Sequence, residues 1–149
     1  MLESSLWKII KRGSQSDKKA RIMRCENLVS TGVPDVNACF DGIEIWIELK
    51  CPKVHARIST PVFGSSHKVM PHQIAWLRKQ AEAGGHGAVF ICNEKLTLLL
   101  DGAFLDSSIN KQNLEEIKQR RGIIYYSEEP LKASHWIKIE NAIKRYYAN

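Results

Sequence analysis

Residues 32–50, GVPDVNACFDGIEIWIELK, contain the strongest structural signal in this chain. Asp41-Gly42 is a dipeptide typical of tight hairpin turns, and it separates two apolar segments. In the second segment, IEIWIELK, an aliphatic residue occupies every second position and Glu, Trp, Glu and Lys occupy the others, which predicts a strand with two different faces. We therefore predict a β-hairpin whose isoleucines face the core, while Glu48 and Lys50 project together from the opposite face.

Outward from the hairpin, the spacing of apolar residues predicts helices and strands on both sides. The predicted elements are, in chain order, a helix over 2–12 ended by Gly13, a strand over 20–28, the hairpin strands, a loop over 52–68, a helix over 71–83, strands over 87–92 and 95–100, a short helix over 113–120, an apolar stretch over 123–126 and a helix over 135–147. This order predicts an α/β fold, with a central mixed β-sheet flanked by helices.

Length and composition indicate a single globular domain. The chain has 149 residues, of which 44% are hydrophobic and 26% are charged, and both values are ordinary for a globular protein. Its first residues lack the basic start and apolar stretch of a signal peptide, and no apolar run approaches the length of a membrane span. We expect a cytoplasmic protein that does not bind membranes, with its four cysteines as buried small hydrophobic residues in a reducing compartment.

The chain is basic, with 22 Lys and Arg residues against 16 acids and a formal charge of +6. Such a balance permits a polyanionic partner without demanding one. The basic residues concentrate over residues 8–24, and phosphate contacts are a natural use for this segment. The candidate DNA contacts are Lys11, Arg12, Lys18, Lys19, Arg21 and Lys68. The alternative is a solvated basic face that binds nothing.

Chemistry is predicted at one end of the hairpin. Asp35 opens the first strand, while Glu48 and Lys50, two residues apart, share one face near the end of the second. Two carboxylates and a backbone carbonyl, such as that of Leu49, can hold Mg²⁺ while leaving water on it. A lysine beside them can orient or deprotonate an attacking water, or neutralise developing charge. These parts suffice for phosphodiester hydrolysis.

Each of these residues also has an ordinary structural interpretation. A Glu-x-Lys pair is common on the solvent-facing side of an exposed sheet. Asp35 follows Pro34 at a turn, where aspartate is frequent for conformational reasons alone. The combination of the three residues, rather than any one of them, favours a catalytic site.

The same residues resemble a known nuclease motif. Gly32-Val33-Pro34-Asp35, followed by Glu48-Leu49-Lys50, is similar to the signature of the PD-(D/E)XK nuclease superfamily, whose fold is restriction-endonuclease-like. Within it, the chain looks most similar to the compact VRR-NUC type, which carries a Gln at the start of the next helix and an acid in its first helix. Gln73 and Glu3 are the matching positions, and the resemblance implies that Gln73 lies near the active site and Glu3 beside the metal.

The resemblance implies a Mg²⁺-dependent DNA endonuclease, with Mn²⁺ able to substitute. Asp35, Glu48, Leu49 and Glu3 would be ligands, with Lys50 acting on the nucleophile. The group includes many viral enzymes that act as homodimers on branched DNA, so we expect a homodimer that cuts four-way junctions, in the cytoplasm of a bacterial host if phage-encoded. The shared core would span about 2–100, with 101–149 as a C-terminal extension.

Two other functions remain open from the sequence. One is a nuclease of the same superfamily that acts on linear, nicked or flap DNA. The other is a non-catalytic nucleic-acid-binding module, in which residues 8–24 bind DNA and the acids are merely structural. Substitution of Asp35 and Lys50 discriminates the second from an enzyme, because an enzyme would lose cleavage and retain DNA binding.

Overall fold

The structure, a computed structural model, describes residues 1–25 and 32–148 of the chain. Six strands and four helices are present in these ranges, together with 3₁₀ turns at Gly102–Phe104, Ser107–Lys111 and Ala133–His135. The strands are β1 (Arg21–Arg24), β2 (Val36–Phe40), β3 (Ile43–Lys50), β4 (Gly87–Asn93), β5 (Leu96–Asp101) and β6 (Ile123–Ser127). The helices are α1 (Glu3–Ser14), α2 (Pro71–Glu82), α3 (Leu114–Lys118) and α4 (Trp136–Tyr147).

The six strands form one sheet in which neighbours follow the order of the chain, from β1 to β6. All neighbouring pairs are antiparallel except β3 and β4, which run parallel. A parallel pair needs a crossover connection, and the loop after β3 and helix α2 provide it. The mixed sheet flanked by helices confirms the predicted fold class, and the β2–β3 hairpin confirms the prediction from residues 32–50.

Helices cover both faces of the sheet and divide its apolar residues into two clusters. On one face, Leu6 of α1 and Trp136 of α4 pack with Ile45, Ile47 and Phe90 of the sheet. On the other face, helix α2 packs over Val89 and Ile91 of β4. The central strands are therefore buried on both sides, and every residue of β4 is buried.

Residues after position 100 are built into the same sheet and the same two apolar clusters. Strand β6 pairs with β5 and closes one edge of the sheet, where residues 123–126 were predicted only as an apolar stretch. Helix α4 contributes Trp136, Ile139 and Ile143 to the cluster that also contains α1.

Several predicted boundaries need correction. Helix α1 continues through Gly13 to Ser14, so Gly13 does not end it. The reason for a glycine here is tertiary, since an added Cβ would meet the side chain of Trp136 and the carbonyl oxygen of Ala133. Strand β1 covers Arg21–Arg24, shorter than predicted, and residues 26–28 of that prediction, like residues 30–31 of the turn before Asp35, lie outside the described residues.

The cysteine prediction is only half right. Cys51 and Cys92 are buried, but Cys25 and Cys39 are half-buried, and all four are free thiols. Among the residues described, no helix combines the length and the apolar character that crossing a membrane requires.

Candidate active site

The β2–β3 register brings Asp35 to the residues at the end of β3. Val36 pairs with Ile47, so continuing the antiparallel register by one residue places Asp35 beside Glu48. The backbone N–H of Leu49 donates to Oδ2 of Asp35 over 2.9 Å. From the other side, the N–H of Cys25 donates to the carbonyl oxygen of Asp35 over 2.6 Å, so both backbone and side chain are held.

Glu48 and Lys50 are buried, with 4% and 7% of their surfaces exposed. They lie beside Val89 and Ile91 in the parallel register of β3 and β4, on the face that α2 covers. The alternative of a solvent-facing pair on an exposed sheet is therefore wrong for these residues. Alternation along β3 predicted their shared face correctly, but it could not reveal that a second layer covers this face.

Gln73, in the first turn of α2, connects the helix to the strand. Its Nε2 donates to Oε1 of Glu48 over 2.7 Å, and its own Oε1 accepts from the backbone N–H of Met70 over 2.9 Å. The side chain thus satisfies an unpaired helix donor and fixes the carboxylate of Glu48 at once. Gly32, at φ +88°, lies against the carbonyl oxygen of His72, which a Cβ would approach to 2.7 Å, so a glycine lets the loop before Asp35 reach this helix.

The negative charge of Asp35 destabilises the charged form of Glu48. Burial and then the negative charge of Asp35 raise the pKa of Glu48 to about 8, although Lys50 opposes the shift. The Nζ of Lys50 lies 3.8 Å from Oε1 of Glu48. The buried carboxylate of Glu48 and the half-buried carboxylate of Asp35, with one ammonium, leave an excess of negative charge, which favours a proton or a cation between them.

Glu3, in the first turn of α1, lies at the same place. Burial raises its pKa, followed by the charge of Asp35, while Lys50, His67 and Arg24 act in the opposite direction. The acid predicted from the resemblance is therefore within electrostatic range of Asp35 and Lys50. The structure thus brings Asp35, Glu48, Lys50 and Gln73 together, and it places Glu3 within electrostatic range of them.

Among the predicted DNA-contacting residues, Lys11 and Arg12 lie away from these acids. Lys11 and Arg12 occupy the last turn of α1, at the opposite end of the helix from Glu3. Lys18, Lys19, Arg21 and Lys68 are exposed, like Lys11 and Arg12, and their contact with DNA stays a prediction. Arg24, which ends β1 opposite Val36, acts on Glu3 and was missed. The signal that could have identified Arg24 is its pairing with Val36, the residue after Asp35, but the sequence alone does not give the register between β1 and β2.

The donor set at this site fits a small, hard cation that shares its coordination with a substrate. Within residues 1–25 and 32–148, no three His, Cys, Asp or Glu side chains form a group that could hold a metal by themselves. Protein sites for Mg²⁺ commonly supply only one or two carboxylates and leave the remaining positions to water and substrate phosphate. Asp35 and Glu48, with the backbone carbonyl of Leu49, are oxygen donors of that kind.

Comparison with known proteins finds similarity in structure but not in sequence. No protein-family model and no curated protein sequence matches the chain. The solved structure of Hjc, a Holliday junction resolvase from the archaeal hyperthermophile Archaeoglobus fulgidus, is similar to this chain with a TM-score of 0.47 and 12% sequence identity. The similarity covers 91% of this chain and 95% of that one. At these values it does not bear on function, which has to be argued from the residues of the site.

Proposed function

We propose that this chain is a Mg²⁺-dependent endonuclease that hydrolyses phosphodiester bonds in DNA. The observation that carries the proposal is the convergence of Asp35, Glu48 and Lys50 at the end of β3, where Glu48 and Lys50 are buried. Burying a carboxylate and an ammonium side by side is costly, and a hydrophobic pair would be at least as stable at such a position. A structural role alone therefore does not account for these residue types.

Each residue of the site has a defined task in this reaction. Asp35 and Glu48, with the carbonyl of Leu49 and with Glu3 in support, would hold Mg²⁺ or Mn²⁺. When bound, the cation would lower the pKa of water and would neutralise negative charge on the phosphate. Gln73 keeps the Glu48 carboxylate in one orientation through its 2.7 Å hydrogen bond. Leu49 does the same for Asp35 through its backbone N–H.

Lys50 is the residue best placed to act on the nucleophile. Its ammonium lies 3.8 Å from Oε1 of Glu48 and only 9% of its side chain is exposed, so its field is weakly screened. There it can orient the attacking water or neutralise negative charge that develops on the phosphate oxygens. A non-catalytic DNA-binding module would have no use for an ammonium withdrawn from the surface in this way.

DNA as the substrate, and branched DNA in particular, form the finer part of the proposal. The formal charge of +6 supports a polyanionic substrate. The resemblance of the motif to VRR-NUC nucleases supports a homodimer that cuts four-way junctions, because two copies would place two sites for paired cuts.

The test is a cleavage assay with Mg²⁺ on linear duplex, flap and four-way-junction DNA of the same sequence. We expect the junction to be cut fastest and EDTA to stop all cleavage. Asp35→Asn and Lys50→Met should abolish cleavage and leave DNA binding within about twofold, while Lys138→Met, which removes the same charge from the exposed surface of α4, should change neither.

Three outcomes would contradict the proposal at different levels. Equal cutting of the three substrates would remove the preference for branches and leave a general nuclease. Cleavage that survives EDTA would remove the metal. No cleavage of any DNA by the folded protein, together with intact DNA binding, would favour the non-catalytic module.

A further inference from the structure

A cavity of about 400 Å³ lies next to the segment that follows β3, the strand that carries Glu48 and Lys50. Its walls are formed by the loop that follows β3, by the turn between β4 and β5, and by the start of α3. Val62 and Leu96 in its lining belong to the apolar cluster under α2, so the cavity opens on the sheet face that carries Glu48 and Lys50. Its size falls in the range of pockets that hold small organic ligands.

The lining of this cavity contains both apolar and cationic residues. Val54, Ile58 and Leu96 contribute apolar surface, and Ile58 is 85% exposed, far more than a residue needed for the core. Lys53, Arg57 and Lys95 contribute three positive charges, against the single acid Glu128. A ligand that complements both kinds of residue has a flat or apolar part and a negative part.

The cavity is anchored to the active strand. Lys53 follows Lys50 by three residues, so its Cα lies at most about 11 Å from that of Lys50. The start of the loop is fixed, because Nδ2 of the buried Asn93 donates to the carbonyl oxygen of Pro52 over 3.2 Å. Asn93 ends β4, the parallel neighbour of β3, so the cavity and the candidate active site lie at the same edge of the sheet.

We propose that this cavity binds one nucleotide of the DNA strand next to the bond that is cleaved. The base would lie against Ile58 and Val54, and the adjoining phosphate would contact Arg57 and Lys95. Apolar surface that accepts a base face, next to cations that accept phosphate, is the usual composition of sites for unpaired nucleotides. The inference rests on the proposed function for its substrate, and it adds that the strand must be unstacked at this nucleotide.

The test pairs protein variants with modified DNA, and its readout is equilibrium binding in EDTA, which does not depend on cleavage. Junction DNA is prepared with single abasic sites scanned across the nucleotides on both sides of the branch. Ile58→Ala should weaken binding of intact DNA about tenfold. When the abasic site is at one particular position, the unaltered protein should bind that DNA as weakly as Ile58→Ala binds intact DNA. At this position Ile58→Ala should not weaken binding further.

Arg57→Ala tests the phosphate contact separately. Affinity falls as the salt concentration rises, and Arg57→Ala should make the slope of log affinity against log salt concentration less steep by about one, at every abasic position alike. Lys138→Ala is the matched control, since it removes one positive charge from α4, which packs on the opposite face of the sheet. This control should leave both the slope and the abasic profile unchanged.

The inference is overturned if, wherever the abasic site is placed, Ile58→Ala lowers the affinity for that DNA by the same factor as it lowers the affinity for intact DNA. A second pair of results would also overturn it: dAMP alone raises the melting temperature of the unaltered protein but not of Ile58→Ala, while no abasic position shows coupling with Ile58→Ala in DNA binding. The cavity would then bind a free nucleotide. Failure of the proposed function gives a different result: no cleavage in Mg²⁺, with the coupling in EDTA still present.

Discussion

Two buried glutamates, Glu48 in β3 and Glu140 in α4, have similar electrostatics and different surroundings. Burial raises the pKa of Glu48 to about 8 and that of Glu140 to about 7. Glu48 contacts Gln73 and Lys50, with Asp35 and Glu3 nearby. Glu140 is fully buried; one of its oxygens accepts from Nε1 of Trp136 over 2.7 Å, and the other has no hydrogen-bond partner among the residues that the structure describes.

The comparison shows that a raised pKa alone does not identify a functional residue. Both carboxyls owe the shift first to loss of water. What distinguishes Glu48 is that other acids, an amide and an ammonium from separate elements converge on it at the edge of the sheet. Glu140 has Asp17 and Lys144 in its vicinity, and its hydrogen bond to Trp136 lies within α4. The predictions below separate these roles, in order of decreasing effect.

Glu48→Gln and Glu140→Gln make the same chemical change in the two places. We expect Glu48→Gln to lower the cleavage rate in Mg²⁺ by at least about a thousandfold, because it removes a charged ligand. Glu140→Gln should leave the rate within about twofold. Single-turnover cleavage of junction DNA measures both, and equal losses in the two variants would show that the convergence at Glu48 has no catalytic meaning.

Glu140→Gln should instead change stability in a pH-dependent way. The folded-state pKa of Glu140 is raised from its usual 4.5 to about 7, so the folded state binds the proton more tightly than the unfolded state. The resulting stabilisation is complete below pH 4.5 and is lost as the pH rises through 7. The neutral amide of Glu140→Gln escapes this loss. The free energy of unfolding of this variant should therefore exceed that of the unaltered protein by roughly 3 kcal/mol at pH 8 and by little at pH 4.5.

Urea unfolding at both pH values measures this difference. Glu44→Gln is a suitable control, because it makes the same chemical change at an exposed position at the start of β3, next to the Asp41-Gly42 turn. This variant should not show the difference between the two pH values. A gain for Glu140→Gln that is the same at pH 4.5 and pH 8 would mean that the carboxyl is not destabilised by ionisation.

Gly13→Ala tests the packing of α1 against α4. Helix propensity alone predicts a gain of about 1 kcal/mol, since alanine is the better helix former. The structure predicts a loss of about 2 kcal/mol, because the new Cβ would meet Trp136 and Ala133. The sign of the change in the free energy of unfolding decides between them, and cleavage by the folded fraction should be unaffected in either case.

Gln73 gives the smallest expected effect, as a positioning residue for Glu48. Gln73→Ala should lower the cleavage rate about tenfold and raise the Mg²⁺ concentration at half-maximal rate. Gln73→Glu keeps an acceptor for the Met70 N–H and so preserves the helix cap, but it cannot donate to Glu48. If Gln73→Glu restored the rate, the side chain would matter only for the start of α2.

Local pattern predicted much of this fold. The Asp41-Gly42 turn and the alternation in Ile43–Lys50 specified the hairpin, and Pro71 and Gly84 marked the ends of α2 correctly. The role of Gly13 and the pairing of residues 123–127 as β6 were missed, since both depend on partners that are distant in sequence. The cavity beside Lys53 was missed for the same reason, because a loop without periodicity gives no sign of what it packs against.

The sequence by itself determined which residues share a face of β3, because alternation is a property of the extended backbone, and it named the acids and the lysine through their motif. Only the tertiary structure decided that this face is covered by α2 and that Gln73 reaches Glu48 across 25 positions of chain. Burial and long-range contact arise from how elements pack on one another. The unusual electrostatics of Glu48 therefore exist only in the folded chain.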